Sequence, residues 1–411
     1  MLIIAKHAAG KVLKKDNLQI ASEAKLAKKM DPRTIDATSG MFYYDNYFQG
    51  FKTVEKILNS LTDEEFYAYS ASDGGFEFKE AVLNWVFDSY LSELRATTHI
   101  QVLATPGGTG AIFSSLFNSL DPEETVLFPN LYWAPYLGIA INLGFKTKTY
   151  PLFSDKSFNI TGFKEAAEEL IQKQGKLVTI INDPCNNPSG YSLSETELRE
   201  IIVFLNNSGV PCTLIYDIAY LDFAAEDQLR FRKNFKILSE AGSNVLISIA
   251  FSASKTFSVY GQRLGAQIIM SKNEESASEF YNASNFTARN TWSNVNKGLI
   301  NLLIKINKDQ ELKKQILDEL AFVKGIIKER AQIFLKEADS VNLSTYPYKS
   351  GFFVSIPVAN RDAVLDALIK EEKIYLIPGT DSIRLAFCSV PATELKGLAE
   401  RIKKVIDQVL I

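Results

Sequence analysis

SASKTFSVYGQRLG, Ser252 to Gly265, places a lysine immediately after the apolar run Ile247 to Phe251. A single lysine is nearly always a solvated surface charge. A lysine at the end of an apolar strand is different, because strands of a covered α/β sheet end at the edge where ligands bind. Desolvated and near other cations, an ε-amine loses basicity and adds to aldehydes. Ser252, Ser254 and Arg263 surround Lys255 with two hydroxyls and a guanidinium, groups suited to a phosphate.

The flanking sequence alternates in the same way. Gly107 to Leu120 reads as a glycine-rich turn leading into a helix, and Thr125 to Phe128 as a strand. Leu177 to Asn182, Thr213 to Tyr216, Val245 to Phe251 and Leu264 to Met270 are further short apolar runs, and Ser194 with Glu197 forms a capping-box pattern at a helix start. Near-continuous apolar strands between helices predict an α/β domain whose largely parallel sheet is covered on both faces. From Glu311 to Ala338, Leu312, Ile316, Leu320, Val323, Ile327 and Phe334 recur at helical spacing, predicting one long helix. Beyond it, Gly351 to Pro357 and Ile383 to Cys388 read as strands, and Glu394 to Leu410 as an amphipathic terminal helix. The expected division is a large domain over 49–310 and a small α+β domain over 311–411, entered by the long helix and completed by 1–48.

Composition excludes several functions. The 411 residues are 46% hydrophobic and 23% charged, with a formal net charge of −3 and no long block of one sign. Nucleic-acid binding, which needs clustered cations, is disfavoured, and the short basic stretch Lys11 to Lys15 reads as a solvated helix end. The N-terminal apolar run is too short for a signal-peptide core or a membrane span. Cys185, Cys212 and Cys388 are odd in number, widely spaced and set in apolar segments, so they read as buried thiols of a reducing compartment, the cytoplasm. With only His7 and His99, histidine-rich metal sites and a Ser-His-Asp triad are nearly excluded, and no metal is expected.

Four more segments carry chemistry-bearing residues. TPGGTGA, Thr105 to Ala111, is first an ordinary glycine turn, yet the N–H groups of a helix N-terminus form a ready anion site. NDPCNNPSG, Asn182 to Gly190, is first a turn signal. Asp217, in YDIAYLDF, reads as a cap or loop carboxylate. Arg384, in SIRLAF, lies within an apolar run where an unpaired guanidinium would be costly, whereas the bland reading of Arg289, in TARNTWSN, is a plain surface charge.

Ser252 to Gly265 resembles the S-x-S-K-x₇-R-x-G signature of fold-type I aminotransferases of the aspartate/aromatic aminotransferase family, class I, and the other segments follow in that family's order from about Gly40 to Arg384. The resemblance implies an α/β chain with the pyridoxal 5′-phosphate-dependent transferase fold, its large domain built on a mostly parallel seven-stranded sheet. It implies that Lys255 binds the cofactor as a Schiff base and is the general base. Ser252 and Arg263 would bind the cofactor phosphate, with Gly108 and Thr109 in the cradle, and Trp133 would stack on the pyridine ring. Asn187 and Tyr220 would hydrogen-bond the phenolic oxygen, and Asp217 would pair with the ring nitrogen. Arg384 would grip the substrate α-carboxylate, with Gly40, Trp133 and Asn187 beside it, and Arg289 the distal carboxylate across a homodimer. Tyr69 would reach the neighbouring subunit's phosphate.

The sequence departs from the family where a histidine is usual. The place three residues after the stacking tryptophan holds Tyr136, and the one ahead of the Asn-Pro pair falls near Asn182. Tyr136 is therefore expected to hydrogen-bond Asp217 in place of histidine. Phe42, Tyr43, Tyr44 and Tyr47 make ATSGMFYYDNYF richer in aromatics than the family's usual start, as core packing or as a wall of the substrate pocket. The implied reaction is transamination between an amino acid and a 2-oxo acid, with aspartate and 2-oxoglutarate first, aromatic amino acids as the alternative, and an elimination or lyase reaction on the same scaffold after that. Small-molecule substrates are the only other partners implied, with neither nucleic acid nor membrane.

Overall fold

The computed structural model describes residues 3–13, 16–224 and 231–409, and divides them into two compact units. One comprises Gly50–Cys185 and Ser192–Ala321. The other comprises Met1–Gln49, Asn186–Tyr191 and Phe322–Ile411.

The first unit is built on a seven-stranded sheet: β1 (His99–Thr105), β2 (Thr125–Pro129), β3 (Lys146–Tyr150), β4 (Leu177–Asn182), β5 (Cys212–Asp217), β6 (Val245–Phe251) and β7 (Gly265–Ser271). The spatial order is β1-β7-β6-β5-β4-β2-β3. Every pairing is parallel except those of β7, which runs antiparallel to both β6 and β1. The strands β2, β4, β6 and β7 are buried along their whole length, as near-continuous apolar runs require when both faces are covered. Among the covering helices are α1 (Phe76–Phe87), α2 (Gly107–Ser119), α3 (Pro135–Leu143), α4 (Glu195–Asn207), α5 (Ala253–Thr256) and α6 (Glu274–Thr291). At α4 the capping box forms as its residues dictate: the Ser194 hydroxyl accepts from the Glu197 N–H, and the Glu197 carboxylate accepts from the Ser194 N–H.

The long helix α7 spans Gln310–Ser340, and the division between the units falls within it, between Ala321 and Phe322. The second unit holds an antiparallel three-stranded sheet of β8 (Phe353–Pro357), β9 (Ile377–Pro378) and β10 (Ser382–Ala386), with β10 central. Ile35–Asp36 pairs in parallel with Ile374–Tyr375, which ties the N-terminal segment into the same unit.

Several local readings change. The terminal helix expected from Glu394 is interrupted: a short turn ends at Leu395, Gly397 takes φ +78°, and α8 begins at Leu398 and runs to Val409. Gly351 and Phe352 precede β8 rather than join it, and Phe387 and Cys388 follow β10. Lys11 is no helix end. It lies in exposed irregular chain, and the first helix, Asn17–Met30, starts at an Asp16 cap. Lys14, Lys15 and Leu410 lie outside the described residues. Among the described residues no helix is long and apolar enough to cross a membrane.

Candidate active site

At the carboxyl end of β6 the chain turns directly into the four-residue α5, which carries Lys255. Facing it is the N-terminus of α2, whose N-cap is Pro106, with no N–H of its own and no side-chain cap. Gly107 takes φ +73°, and a Cβ there would fall 2.5 Å from Arg263 Nη2, while one on Gly108 would sit 3.5 Å from Ser252 Cβ. Arg263 is itself at φ +58°, and its Nη1 donates to the Tyr260 carbonyl at 2.7 Å. Among the described residues it has no carboxylate partner, and partial burial lowers its pKa. Unpaired helix N–H groups, a hydroxyl and an unneutralised guanidinium are thereby gathered around side-chain-free backbone, a donor set that fits a phosphate monoester. Thr109 is the third residue of α2. Ser254 does not join this set: it is buried, and its hydroxyl is bound to the backbone of Leu264, accepting from the N–H at 3.1 Å and donating to the carbonyl at 3.2 Å. The chain reverses between Ser254 and Leu264, and that hydroxyl closes the loop.

Lys255 Nζ lies over the rings of Tyr260 and Tyr220, 4.9 and 5.6 Å from their centroids. One strand over, Asp217 ends β5 in register with Ala250 of β6. Its carboxylate is buried, accepting the Ala219 N–H at 3.0 Å on Oδ1 and the Tyr136 hydroxyl on Oδ2. The hydrogen bond expected of Tyr136 is present, and the Asn182 side chain donates to the Asp217 carbonyl at 2.9 Å rather than to the carboxylate. Burial pushes Asp217 up to about 6, against the opposing pull of Tyr136, the Ala219 N–H and Lys255. Burial and the adjacent anion hold Tyr136 well above its ordinary range. A buried carboxylate with one donor on each oxygen is stabilised further by a cation brought to it, as a protonated pyridine nitrogen would be. Trp133 stands edge-on to Tyr136, ring centroids 5.5 Å apart. The residues of this unit therefore fit a phosphorylated pyridine aldehyde on the chemistry of their donors.

In the second unit Arg384 sits in the middle of central strand β10. Its Nη2 donates to the Thr38 carbonyl at 2.7 Å, its Nη1 to Asn187 Oδ1 at 3.1 Å, and its guanidinium lies 4.2 Å from the Phe353 ring centroid. Gly40 follows two residues after Thr38 in the same segment. Tyr69, 90% exposed, and Arg289, whose Nη1 donates to Ser293 at 2.7 Å, lie on the surface of the first unit. Sequence reading missed a buried network around Asp222, which brings Trp85, Arg232 and Thr256 to one carboxylate from distant parts of the chain. Only the unusual setting of Asp222 in the apolar run YLDF signalled it.

Residues 38–402 match the family model described as aminotransferase class I and II. The chain is 24% identical over 364 residues to an aromatic-amino-acid aminotransferase of Escherichia coli, covering 85% of this chain and 88% of that one. It is 24% identical over 312 residues to a mitochondrial aspartate aminotransferase of Arabidopsis thaliana, covering 74% and 70%. Among solved structures, an aminotransferase from Anaerococcus prevotii superposes with a TM-score of 0.94 at 32% identity, over 99% of this chain and all of that one. An aromatic-amino-acid aminotransferase from Burkholderia pseudomallei, covalently bound to pyridoxal phosphate, shares the fold at a TM-score of 0.79 and 20% identity, over 98% and 100%.

Proposed function

This chain belongs to the class I and II aminotransferase family, and from its residues we propose that it exchanges amino groups between a dicarboxylic amino acid, aspartate first, and 2-oxoglutarate. It is an aminotransferase whose cofactor is pyridoxal 5′-phosphate. Bound, the cofactor supplies an aldehyde for the amino group and a ring that takes up the electron pair released at the substrate α-carbon. The reading rests on one observation: a half-buried lysine, an uncapped helix N-terminus and a guanidinium without a carboxylate partner gather at the end of β6, with a buried carboxylate at the end of β5.

The α2 N-terminus with Gly108 and Thr109, together with Ser252 and Arg263, would hold the phosphate. Asp217, oriented by Tyr136 and the Ala219 N–H, would keep a proton on the ring nitrogen. Trp133 would flank the ring, and Asn187 and Tyr220 would donate to its phenolic oxygen. Lys255 would hold the cofactor covalently, and its Nζ, once free, would take up the substrate α-proton and give it back, serving as base and then as acid. Arg384 would bind the α-carboxylate with its planar fork, beside Gly40.

Arg289 would bind the distal carboxylate, and Tyr69 a phosphate, of a second copy in a homodimer. The exposure of both side chains in the single chain supports this. Aromatic donors are the second reading, favoured by the hairpin of Tyr43–Tyr44 and Tyr47–Phe48, whose rings meet edge-on in two pairs. Three buried cysteines, none of them in a disulfide, support a reducing compartment, the cytoplasm.

Borohydride reduction of the loaded protein should attach the cofactor to Lys255, as read by peptide mass. A donor panel with 2-oxoglutarate should give the highest kcat/KM for aspartate, and Arg289→Ala should cut aspartate turnover while sparing phenylalanine. A protein that takes up no cofactor, or Lys255→Ala with native turnover, would overturn the reading. Equal loss for both donors would remove Arg289 from it.

A further inference from the structure

Thr256, the residue after Lys255, donates its hydroxyl to Asp222 Oδ2 at 2.7 Å. The same oxygen accepts the Trp85 indole N–H at 3.1 Å. The other, Oδ1, is paired with Arg232 Nη2 at 2.8 Å, and the Asp222 and Arg232 side chains are 0 and 3% exposed. Arg232 also donates to the Trp85 carbonyl, from Nη2 at 3.2 Å and Nε at 3.4 Å. The Trp85 ring packs on Phe257, centroids 4.9 Å apart. One buried carboxylate thereby joins α1, the one-turn 3₁₀ helix Leu221–Phe223 and α5.

A buried ion pair is weak evidence for stability, because a well-packed apolar group often serves the fold as well. The placement of this one is informative. Asp222 lies two residues after Tyr220, inside a turn closed by the Phe223 N–H on the Tyr220 carbonyl at 2.9 Å. Thr256 adjoins Lys255 in a helix of four residues, too short to hold itself. A lysine side chain has four rotatable bonds, so its amine is aimed only if its peptide is anchored. Nζ lies 5.6 Å from the Tyr220 ring centroid, and in the proposed function both groups would serve one cofactor. Their peptides share a single buried anchor.

We propose that the Asp222–Arg232 pair, acting through the Thr256 hydroxyl, is a positioning device that fixes the backbone of Lys255 relative to that of Tyr220 and so sets the geometry of proton transfer. The proposal rests on the reading of Lys255 as the residue that carries the cofactor and moves the α-proton. Arg232, Asp222 and Thr256 are buried and bonded to one another and to Trp85, so in this proposal they act through Lys255 and Tyr220.

The test compares holoenzymes of the native protein, Thr256→Val and Thr256→Ser. Valine keeps the volume and the ion pair and removes one donor, and serine restores it. For Thr256→Val the expected result is a kcat lowered by about ten- to a hundredfold, the scale on which misplaced reacting groups lose rate, with KM and cofactor Kd within about threefold of native. The isotope effect on kcat with an α-deuterated donor should rise as proton transfer becomes slower, and Thr256→Ser should return kcat and isotope effect toward native values. A purely structural hydroxyl would lower the thermal midpoint and the folded fraction without raising the isotope effect. If the valine variant does not fold, Thr256→Ala carries the same readouts.

Native kcat and isotope effect in the valine or alanine variant would overturn the proposal, as would equal impairment of the serine variant. Borohydride reduction separates the two levels of inference. An adduct on a residue other than Lys255 removes the assignment of the lysine, whereas an adduct on Lys255 with unchanged kinetics removes the clamp alone.

Discussion

Asp217 and Tyr136 show how one residue sets the chemistry of another. The carboxylate is raised to about 6 chiefly by burial, while the Tyr136 hydroxyl opposes the shift by donating to the charged form. Tyr136→Phe should therefore raise Asp217 further, weakening cofactor binding and lowering kcat, measured by cofactor titration and steady-state kinetics; both unchanged would leave the hydroxyl without a role. Tyr136 does not ionise near neutrality, whereas Tyr136→His should introduce a titration near the ordinary imidazole range into the kcat–pH profile.

The Asp217 shift also bears on stability. Its folded value lies above the unfolded 3.8, so between those values the folded cofactor-free protein holds the extra proton, and stability falls as pH rises through about 4 to 6. Above that window the carboxylate costs about 3 kcal/mol. Asp217→Asn should accordingly raise the thermal midpoint of the cofactor-free protein at pH 8 more than at pH 4, while reducing cofactor affinity. An identical midpoint change at both pH values would refute the linkage.

At the scale of elements, the junction of β6, β7 and α2 is set by two glycines. A Cβ on Gly265 would fall 2.4 Å from the Phe251 carbonyl oxygen and 2.5 Å from the Gly107 carbonyl carbon, both backbone atoms that cannot rotate away. Gly265→Ala should destabilise the fold by about 3 kcal/mol or more, read by denaturant unfolding. Gly107→Ala combines a positive φ with a Cβ against Arg263, so its main expected effect is a cofactor Kd raised at least about tenfold. The five strands legible in the sequence, β2 and β4 to β7, are the interior of the sheet. The two that were not, β1 and β3, are its edges. An edge strand is half-solvated, so the lysines and threonines of KTKTY in β3 break the apolar run by which interior strands are recognised. The single terminal helix failed for a local reason: Gly397 accepts a left-handed turn that ends one helix and starts another.

At the scale of the whole molecule, residues far apart in sequence act as one set. Thr38, Asn187 and Arg384 meet in the second unit although they are separated by more than a hundred positions. The segment Asn186–Tyr191 belongs to the same unit, and Gly190, at φ +73°, lies there where a Cβ would stand 2.5 Å from the Phe353 carbonyl oxygen. If Tyr69 and Arg289 serve a second copy, chains carrying Lys255→Ala and chains carrying Arg289→Ala, each inactive on aspartate, should recover activity when refolded together. Random pairing leaves about a quarter of the sites native. No recovery, with heterodimers present, would place Arg289 in its own subunit's site.

The α/β class, the interior strands and the long helix were legible from residue types, because strand and helix periodicity and glycine turns act over a few neighbouring positions, whereas the order of the motifs was read from the family resemblance. The engagement of Ser254 with Leu264, the Asn182 bond to a carbonyl, the edge strands and the closing of Asp222 on Arg232, Trp85 and Thr256 were decided only by the tertiary structure. A hydroxyl or carboxylate can meet many partners, and which one it meets depends on what burial brings against it. Sequence spacing does not carry that information.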